Sequence, residues 1–141
     1  MDEGRITVVY HESFRKEIND LMETVLKGKE KKFSRQSKRM IEFIEHLMPY
    51  EIIKIDSNEV LKHVIPVTYS FHLRGKGYNI RYLARYKSNI CVLLLAFNET
   101  QGKNSYSKKI PFLDSRMKEW EENEYKKWFI WLFWSIFIWR R

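Results

Sequence analysis

The segment FHLRGKGYNIRYLARY, residues 71–86, constrains the fold more than any other part of the chain. Polar and apolar residues alternate on both sides of a glycine-flanked turn, which is the pattern of two paired antiparallel strands. If residues 75–78 form the turn, Arg74 pairs with Asn79 and the apolar residues of both strands share one side. A three-residue turn would mix the polar and apolar sides, so the hydrophobic pattern selects this register.

The same register gathers the basic side chains of the two strands on the opposite side. They are His72, Arg74, Arg81 and Arg85. A two-residue turn at 88–89 would extend the register into a third strand and place Ala96 beside Arg81, which would leave open space there. Arginines on one sheet face repel one another unless an anion, or carboxylates from nearby helices, neutralise them. The pattern therefore favours a phosphate-binding face, with internal ion pairing as the alternative.

The N-terminal part of the chain predicts a strand followed by two helices. Residues 5–10 are rich in β-branched residues, as strands are. Ser13 is a candidate N-cap for an amphipathic helix, and Gly28 is a candidate for its end. A second helical pattern begins at Met40 and ends before Pro49.

The rest of the chain predicts a three-stranded meander and a closing helix. The expected elements are a loop at 49–63, strands at 64–74, 79–87 and 90–97, a polar loop at 98–109 and a helix at 110–127. A strand, two helices, a meander and a helix, in that order, are typical of the α+β class. We expect one domain spanning residues 1–127.

Basic residues outnumber acidic ones, with 26 Lys and Arg against 18 Asp and Glu and a formal net charge of +8. Such a balance favours an anionic partner such as nucleic acid. The excess is concentrated at 27–39, which we expect to connect the two helices as a solvated surface or as a landing area for nucleic acid. The candidate nucleic-acid contacts are Lys31, Lys32, Arg35, Lys38 and Arg39, with Lys76 from the turn and Arg85 from the sheet.

Disulfide, metal and cofactor chemistry are not expected. The one cysteine, Cys91, lies in the apolar run ICVLLLAF, so no intramolecular disulfide can form and a reducing, cytoplasmic location is favoured. The four histidines are scattered without the spacing of metal ligands. The N-terminus shows no basic region followed by an apolar stretch, so no signal peptide is expected.

Residues 128–141, WFIWLFWSIFIWRR, form an aromatic tail outside the expected domain. Its apolar run from Trp128 to Trp139 would extend about 18 Å as a helix, which is shorter than the ~30 Å hydrocarbon core of a membrane. A membrane span is therefore not expected, and a C-terminal membrane anchor ended by Arg140 and Arg141 is the alternative. Because so large an aromatic surface would aggregate if exposed, we expect burial against the domain or self-association with a second copy.

A family resemblance appears in the sheet segments. FHLRGKGYNIRYLARY followed by NICVLLLAF resembles the sheet of the RelE/HigB/ParE toxin superfamily of type II toxin–antitoxin systems, whose HigB-like members carry a YELR…yRilYf…ivlLhaF pattern. NETQGKNSYSKKIPFLDSRMKEW resembles the stretch that follows in the HigB-like or phage-derived branch. The resemblance covers residues 5–125. It implies a RelE-like fold, in which an N-terminal strand and helical pair pack on a small antiparallel sheet.

The resemblance also implies an activity and a set of site residues. Many such toxins are metal-independent endoribonucleases that cut mRNA during translation on the ribosome and are neutralised by an antitoxin, here expected to be of the helix-turn-helix type. Arg74 and Arg81 match the two sheet arginines of the pattern. His72 falls where the family has an active-site lysine or a glutamate. Lys103 matches a basic loop residue and Tyr106 a tyrosine that opens the final helix. These five are the implied catalytic residues.

Metal-free RNA cleavage needs a base for the ribose 2′-OH, donors for a doubly negative phosphorane and an acid for the leaving 5′ oxygen. Arginine forks suit the phosphorane. His72 could act as base or acid, or could be a plain sheet-surface histidine, and Tyr106 could orient the 2′-OH or stack on a base.

Departures from the HigB pattern keep other functions open. The sequence has Leu95, Asn98 and Glu99 where that pattern has a histidine and two lysines. Two alternatives to the ribonuclease remain. One is a ParE-like toxin that inhibits DNA gyrase, and the other is a catalytically silent protein that associates through its aromatic tail.

Overall fold

Four helices and a five-stranded mixed sheet form the described part of the chain, which is residues 5–55, 57–100 and 105–123 of a computed structural model. The strands are β1 (Thr7–Tyr10), β2 (Glu59–Val60), β3 (Tyr69–Gly75), β4 (Tyr78–Lys87) and β5 (Ile90–Asn98), and the helices are α1 (Glu12–Glu23), α2 (Glu30–His46), α3 (Pro49–Ile52) and α4 (Ser105–Glu122). The expected α+β class is confirmed. Lys103 and the aromatic tail at 128–141 lie outside the described residues.

The sheet has the strand order β1-β5-β4-β3-β2, with β1 parallel to β5 and the other neighbours antiparallel. The register predicted for β3 and β4 is confirmed, since Arg74 pairs with Asn79 and His72 with Arg81. Gly77 in the connecting turn has a φ of +85°, a left-handed conformation that glycine adopts without a steric penalty. The apolar side of this hairpin packs under α1 and α2, and α4 covers the other face of the sheet.

A β-bulge in β5 overturns the prediction that Ala96 lies beside Arg81. Leu94 is an extra residue between the paired positions of β5, so the register shifts by one. Arg81 therefore pairs with Phe97, an aromatic ring instead of a small side chain. Ala96 points to the opposite face, where it joins the core under α1 and α2.

Side chains from α1 and α4 satisfy the backbone groups at this bulge. The Ala96 N–H donates to Glu17 Oε1 at 3.0 Å, and Arg116 Nη1 donates to the Leu94 carbonyl at 2.8 Å. Arg116 Nη2 also donates to Glu17 Oε2 at 2.9 Å. These contacts attach α4 to α1 across the edge of the bulge and so hold α4 on its face of the sheet.

Replacing Glu17 by alanine should lower the free energy of unfolding by about 2 kcal/mol, because the Ala96 N–H loses its acceptor and Arg116 loses its counter-charge. Urea unfolding measures the difference. Glu119→Ala is the matched control, since it removes a carboxylate that is 62% exposed and bound to His11, which should cost less than about 1 kcal/mol. Equal losses in the two variants would contradict the role of Glu17 at the bulge.

Several predicted boundaries are corrected. His11, not Ser13, caps α1, because His11 Nδ1 accepts a hydrogen bond from the Ser13 N–H at 3.0 Å. Most of the stretch at 27–39 is not a connection but the first half of α2. The expected loop at 49–63 contains α3 and β2. The strand expected from residue 64 begins at Tyr69, and the closing helix begins at residue 105, before the expected 110.

Candidate functional site

Polar side chains of β3 and β4 meet the first turn of α4 on the face of the sheet that α4 covers. Arg81 Nη1 donates a short hydrogen bond to Tyr106 Oη, and Ser70 Oγ lies 3.0 Å from the same oxygen. His72 Nε2 lies 3.0 Å from Ser70 Oγ. We call Ser70, His72, Arg81 and Tyr106 the arginine–tyrosine cluster. The cluster brings together three of the five predicted catalytic residues.

Arg81 is a buried cation without a carboxylate partner. The residue is 8% exposed, and its Nε donates to Asn79 Oδ1 at 3.3 Å. Within the residues that the structure describes, no carboxylate lies within ion-pairing distance of its guanidinium. Because a buried charge without a counter-ion is destabilising, such a guanidinium indicates a place for an anionic ligand.

Arg85, four residues further along β4, differs from Arg81 although both arginines lie on the same face. It is 3% exposed, its Nη1 donates to Asp114 Oδ1 at 2.7 Å, and its Nε donates to Thr68 Oγ1 at 2.9 Å. Arg85 is therefore neutralised by a helix carboxylate, which is the alternative raised above for the arginine face.

The hydrogen bonds around His72 favour one of its two neutral tautomers. Its Nδ1 is buried and has no hydrogen-bond partner, so a proton there would be unsatisfied, whereas a proton on Nε2 is donated to Ser70 Oγ. The Ser70 hydroxyl keeps its own proton in this arrangement and can donate it to Tyr106 Oη, 3.0 Å away. With Ser70 and Arg81 both donating to Tyr106 Oη, the tyrosine proton is available to a ligand.

His72 is neutral at neutral pH. Burial lowers its pKa to about 4, and the positive charges of Arg81 and Arg74 add to this effect. Glu59 Oε2, 3.4 Å from Nε2, does not offset them. Because Nδ1 is buried and Nε2 binds Ser70, we interpret His72 as a positioning residue that holds Ser70, and not as the base or acid suggested above.

The lowered pKa of His72 predicts a pH-dependent stability. Between pH 6.5 and about 4 the unfolded chain binds a proton at His72 that the folded chain does not, so stability falls as the pH falls through this window and is unaffected above it. We expect the wild type to lose about 2 kcal/mol of unfolding free energy across the window, after allowance for solvent screening of the neighbouring charges, relative to His72→Gln. Urea unfolding at a series of pH values measures this difference. If the difference in unfolding free energy between the wild type and His72→Gln did not change with pH, His72 would have the same pKa in the folded and unfolded chains.

Glu59 is a residue of this site that sequence analysis missed. It lies opposite Ser70 in the pairing of β2 with β3, and its side chain is 47% exposed beside His72. Strand β2 has only two residues, too few for a recognisable period, and the segment around it was expected to be a loop. An exposed carboxylate beside the cluster can accept a proton from a bound substrate.

Phe97 and Lys109 complete the surroundings of Tyr106. The Phe97 and Tyr106 rings meet edge to face at 5.7 Å between centroids, and Lys109 Nζ lies 4.6 Å from the centre of the Phe97 ring. The bulge in β5 brings Phe97 here, so the sequence pattern alone did not reveal it. Among the remaining predicted site residues, Arg74 and Lys76 are exposed at the end of the β3–β4 hairpin.

Five of the seven basic residues predicted to contact nucleic acid lie on α2, which packs on the other face of the sheet. Lys31, Lys32, Arg35 and Arg39 are exposed, and Lys38 is half-buried. The structure therefore does not place them in the arginine–tyrosine cluster.

Comparison with known proteins supplies no family for this chain. Protein-family models, curated proteins and solved structures contain no match to it. In the described ranges no group of three or more His, Cys, Asp or Glu side chains could hold a metal ion. In the same ranges none of the helices combines the length and the apolar character needed to cross a membrane.

Proposed function

We propose that this chain is a metal-independent endoribonuclease whose active site is the arginine–tyrosine cluster together with Glu59. The observation that carries the proposal is the buried guanidinium of Arg81, which has no carboxylate partner among the described residues. It donates to a tyrosine hydroxyl that can offer its own proton to a ligand. A planar cation next to a free hydroxyl donor suits the non-bridging and leaving oxygens of a phosphodiester.

In the proposed reaction the ribose 2′-OH attacks the adjacent phosphorus. Glu59 accepts the 2′-OH proton, Arg81 binds the non-bridging oxygens of the phosphorane, and Tyr106 gives its proton to the departing 5′ oxygen. The P–O2′ bond forms and the P–O5′ bond breaks, which leaves a 2′,3′-cyclic phosphate and a 5′-hydroxyl. Ser70 and His72 hold the Tyr106 oxygen in place through their hydrogen bonds.

We further propose that the enzyme is the toxin of a type II toxin–antitoxin pair with a RelE-like fold. The sequence resemblance of the sheet segments supports this assignment. So does the order of the elements, since a strand, the helical pair α1 and α2, the short α3, antiparallel strands and a closing helix agree with the order that the resemblance implies. Translated mRNA on the ribosome, a helix-turn-helix antitoxin and a cytoplasmic location belong to the same proposal.

The chemistry of the RNA ends tests the enzyme. Purified protein is incubated with free RNA in EDTA and, separately, with translating ribosomes, and the 3′ ends are mapped. We expect 2′,3′-cyclic phosphate ends in the presence of the chelator, and no cut after a nucleotide that is 2′-deoxy. Cutting at 2′-deoxy positions would overturn the mechanism. Intact RNA in every reaction would overturn the enzyme and favour gyrase inhibition or a silent interaction protein.

A further inference from the structure

A line of basic side chains runs along the exposed side of α2. Lys31, Arg35 and Arg39 recur every four residues, about 6 Å apart along the helix axis, and Lys32 adjoins them. All four side chains are exposed, and no carboxylate in the described ranges lies within ion-pairing distance of them. Like charges at this spacing slightly destabilise a helix, and a bound anion would offset this repulsion.

The β3–β4 hairpin is attached to this helix. Gln36 Nε2 donates to the Arg74 carbonyl at 2.8 Å, and Tyr78 Oη donates to Gln36 Oε1 at 2.8 Å. The rings of Phe33 and Tyr78 meet edge to face at 5.9 Å between centroids. These contacts hold the first half of α2 against the tip of the hairpin. Lys32, one helical turn before Gln36, therefore lies on the hairpin side of α2.

Cations continue from α2 over the hairpin tip to the arginine–tyrosine cluster. Lys29 lies against the turn. A β-carbon added at Gly77 would be only 2.5 Å from Lys29 Nζ. Lys76 is exposed in the turn. Arg74 is exposed near the end of β3, where it pairs with Asn79. Arg74 lies on the same strand and side as His72, which pairs with Arg81. Positive side chains thus connect α2 on one face of the sheet with Arg81 on the other.

We propose that this route is a track for the backbone of single-stranded RNA whose scissile phosphate sits at Arg81. The basic track consists of Lys29, Lys31, Lys32, Arg35, Arg39, Arg74 and Lys76. The inference rests on the proposed function and deepens it, because it assigns the path of the substrate and the side chains that supply most of its affinity. In the proposed mechanism none of these side chains acts at the reacting atoms, and this includes Arg74, for which the family resemblance implies a catalytic role.

The shape of the track favours a single strand over other anionic partners. The route turns around the tip of a hairpin, and a duplex, whose persistence length is about 50 nm in the case of DNA, resists such a bend. Cations repeated along a line suit the repeated phosphates of an extended strand. A membrane surface is disfavoured, because a helix that binds membranes needs exposed apolar side chains, and none of the large exposed hydrophobic residues lies on α2.

Salt dependence gives the expected size of the effect. Each cation–phosphate contact with a single strand contributes about −0.7 to the slope of log affinity against log salt. Between 1 M and 0.1 M salt, each such contact therefore raises the affinity about fivefold. The double variant Lys32→Gln/Arg35→Gln should therefore bind about 25-fold more weakly at 0.1 M salt, with a slope shallower by about 1.4.

The experiment uses the full chain and an RNA that it cannot cut. The probe is a 2′-O-methylated, fluorescent oligouridylate of about twelve nucleotides, titrated by anisotropy at several salt concentrations. The matched control is Lys16→Gln/Lys118→Gln, which removes the same charge from exposed positions on α1 and α4. The control should lose less than about twofold, because it removes no phosphate contact. Circular dichroism checks that both variants are folded.

The outcomes separate the track from the nuclease. The track would be overturned if both double variants lost the same affinity for the probe. It would also be overturned if the wild type bound a duplex or polyglutamate as tightly as the single strand. Cleavage by the wild type, combined with unchanged binding by the Lys32/Arg35 variant, would overturn the track alone. Selective loss of binding in that variant, with no cleavage by the wild type, would support the track and overturn the nuclease.

Discussion

Replacing Arg81 by methionine should lower the rate of RNA cleavage about 10²- to 10³-fold while leaving the protein at least as stable as the wild type. The rate falls because the phosphorane loses a donor aimed at its developing charge. Stability is retained because Arg81 is buried without a carboxylate partner among the described residues, so the wild type already bears a desolvation penalty that methionine removes. Single-turnover cleavage and urea unfolding measure the two effects.

Arg85→Met is the matched control, since it makes the same change on the same strand and face. Arg85 binds Asp114 and Thr68, so its loss should reduce the free energy of unfolding by about 1.5 kcal/mol and change cleavage by the folded protein only a few-fold. Arg81→Lys should recover part of the rate, because lysine keeps the charge but not the fork. If Arg81→Met lost as much unfolding free energy as Arg85→Met and still cleaved RNA, Arg81 would be a structural residue.

The different environments of these two arginines mark a limit of prediction from sequence. Strand alternation places both on one face, and it cannot distinguish them because the difference lies in α4. Asp114 reaches Arg85, whereas Tyr106, two helical turns earlier, reaches Arg81. How a helix is rotated and shifted on a sheet depends on packing along its whole length, which a local pattern does not contain.

Register was predictable where only one pairing keeps the apolar side chains together. That condition holds for β3 and β4, so His72 opposite Arg81 followed from the sequence. It fails for β5, because the bulge that brings Phe97 to Arg81 is satisfied by Glu17 and Arg116, which lie far away in the chain. Regular alternation contains no signal for such a contact.

The first half of α2 was missed for a related reason. Its buried positions are Phe33, Ser34 and Ser37, and two of these three are serines. Without apolar residues at helical spacing, the basic composition of the stretch was visible but its helical period was not. The composition indicated an anionic partner, and only the attachment of α2 to the hairpin relates those cations to Arg81.

Tyr106→Phe should lower the rate of RNA cleavage on the order of 10²-fold and the free energy of unfolding by about 1 kcal/mol, because Arg81 loses a hydrogen-bond acceptor. The ring remains against Phe97, but the hydroxyl that is proposed to protonate the leaving oxygen is lost. Single-turnover rates under saturating RNA measure the loss, with Tyr50→Phe as control because Tyr50 is 61% exposed on α3. A loss no larger than in the Tyr50 variant would exclude Tyr106 as the proton donor.

Ser70→Ala tests whether the hydrogen bond that Ser70 makes to Tyr106 acts through that hydroxyl. Alone it should lower the rate less than Tyr106→Phe, because Arg81 still binds the Tyr106 oxygen. Added to Tyr106→Phe it should cause no further loss, since the hydroxyl that Ser70 holds is already absent, and such non-additivity is the measure of a direct coupling. Independent losses that add in the double variant would mean that Ser70 contributes to cleavage by a route other than the position of the Tyr106 proton.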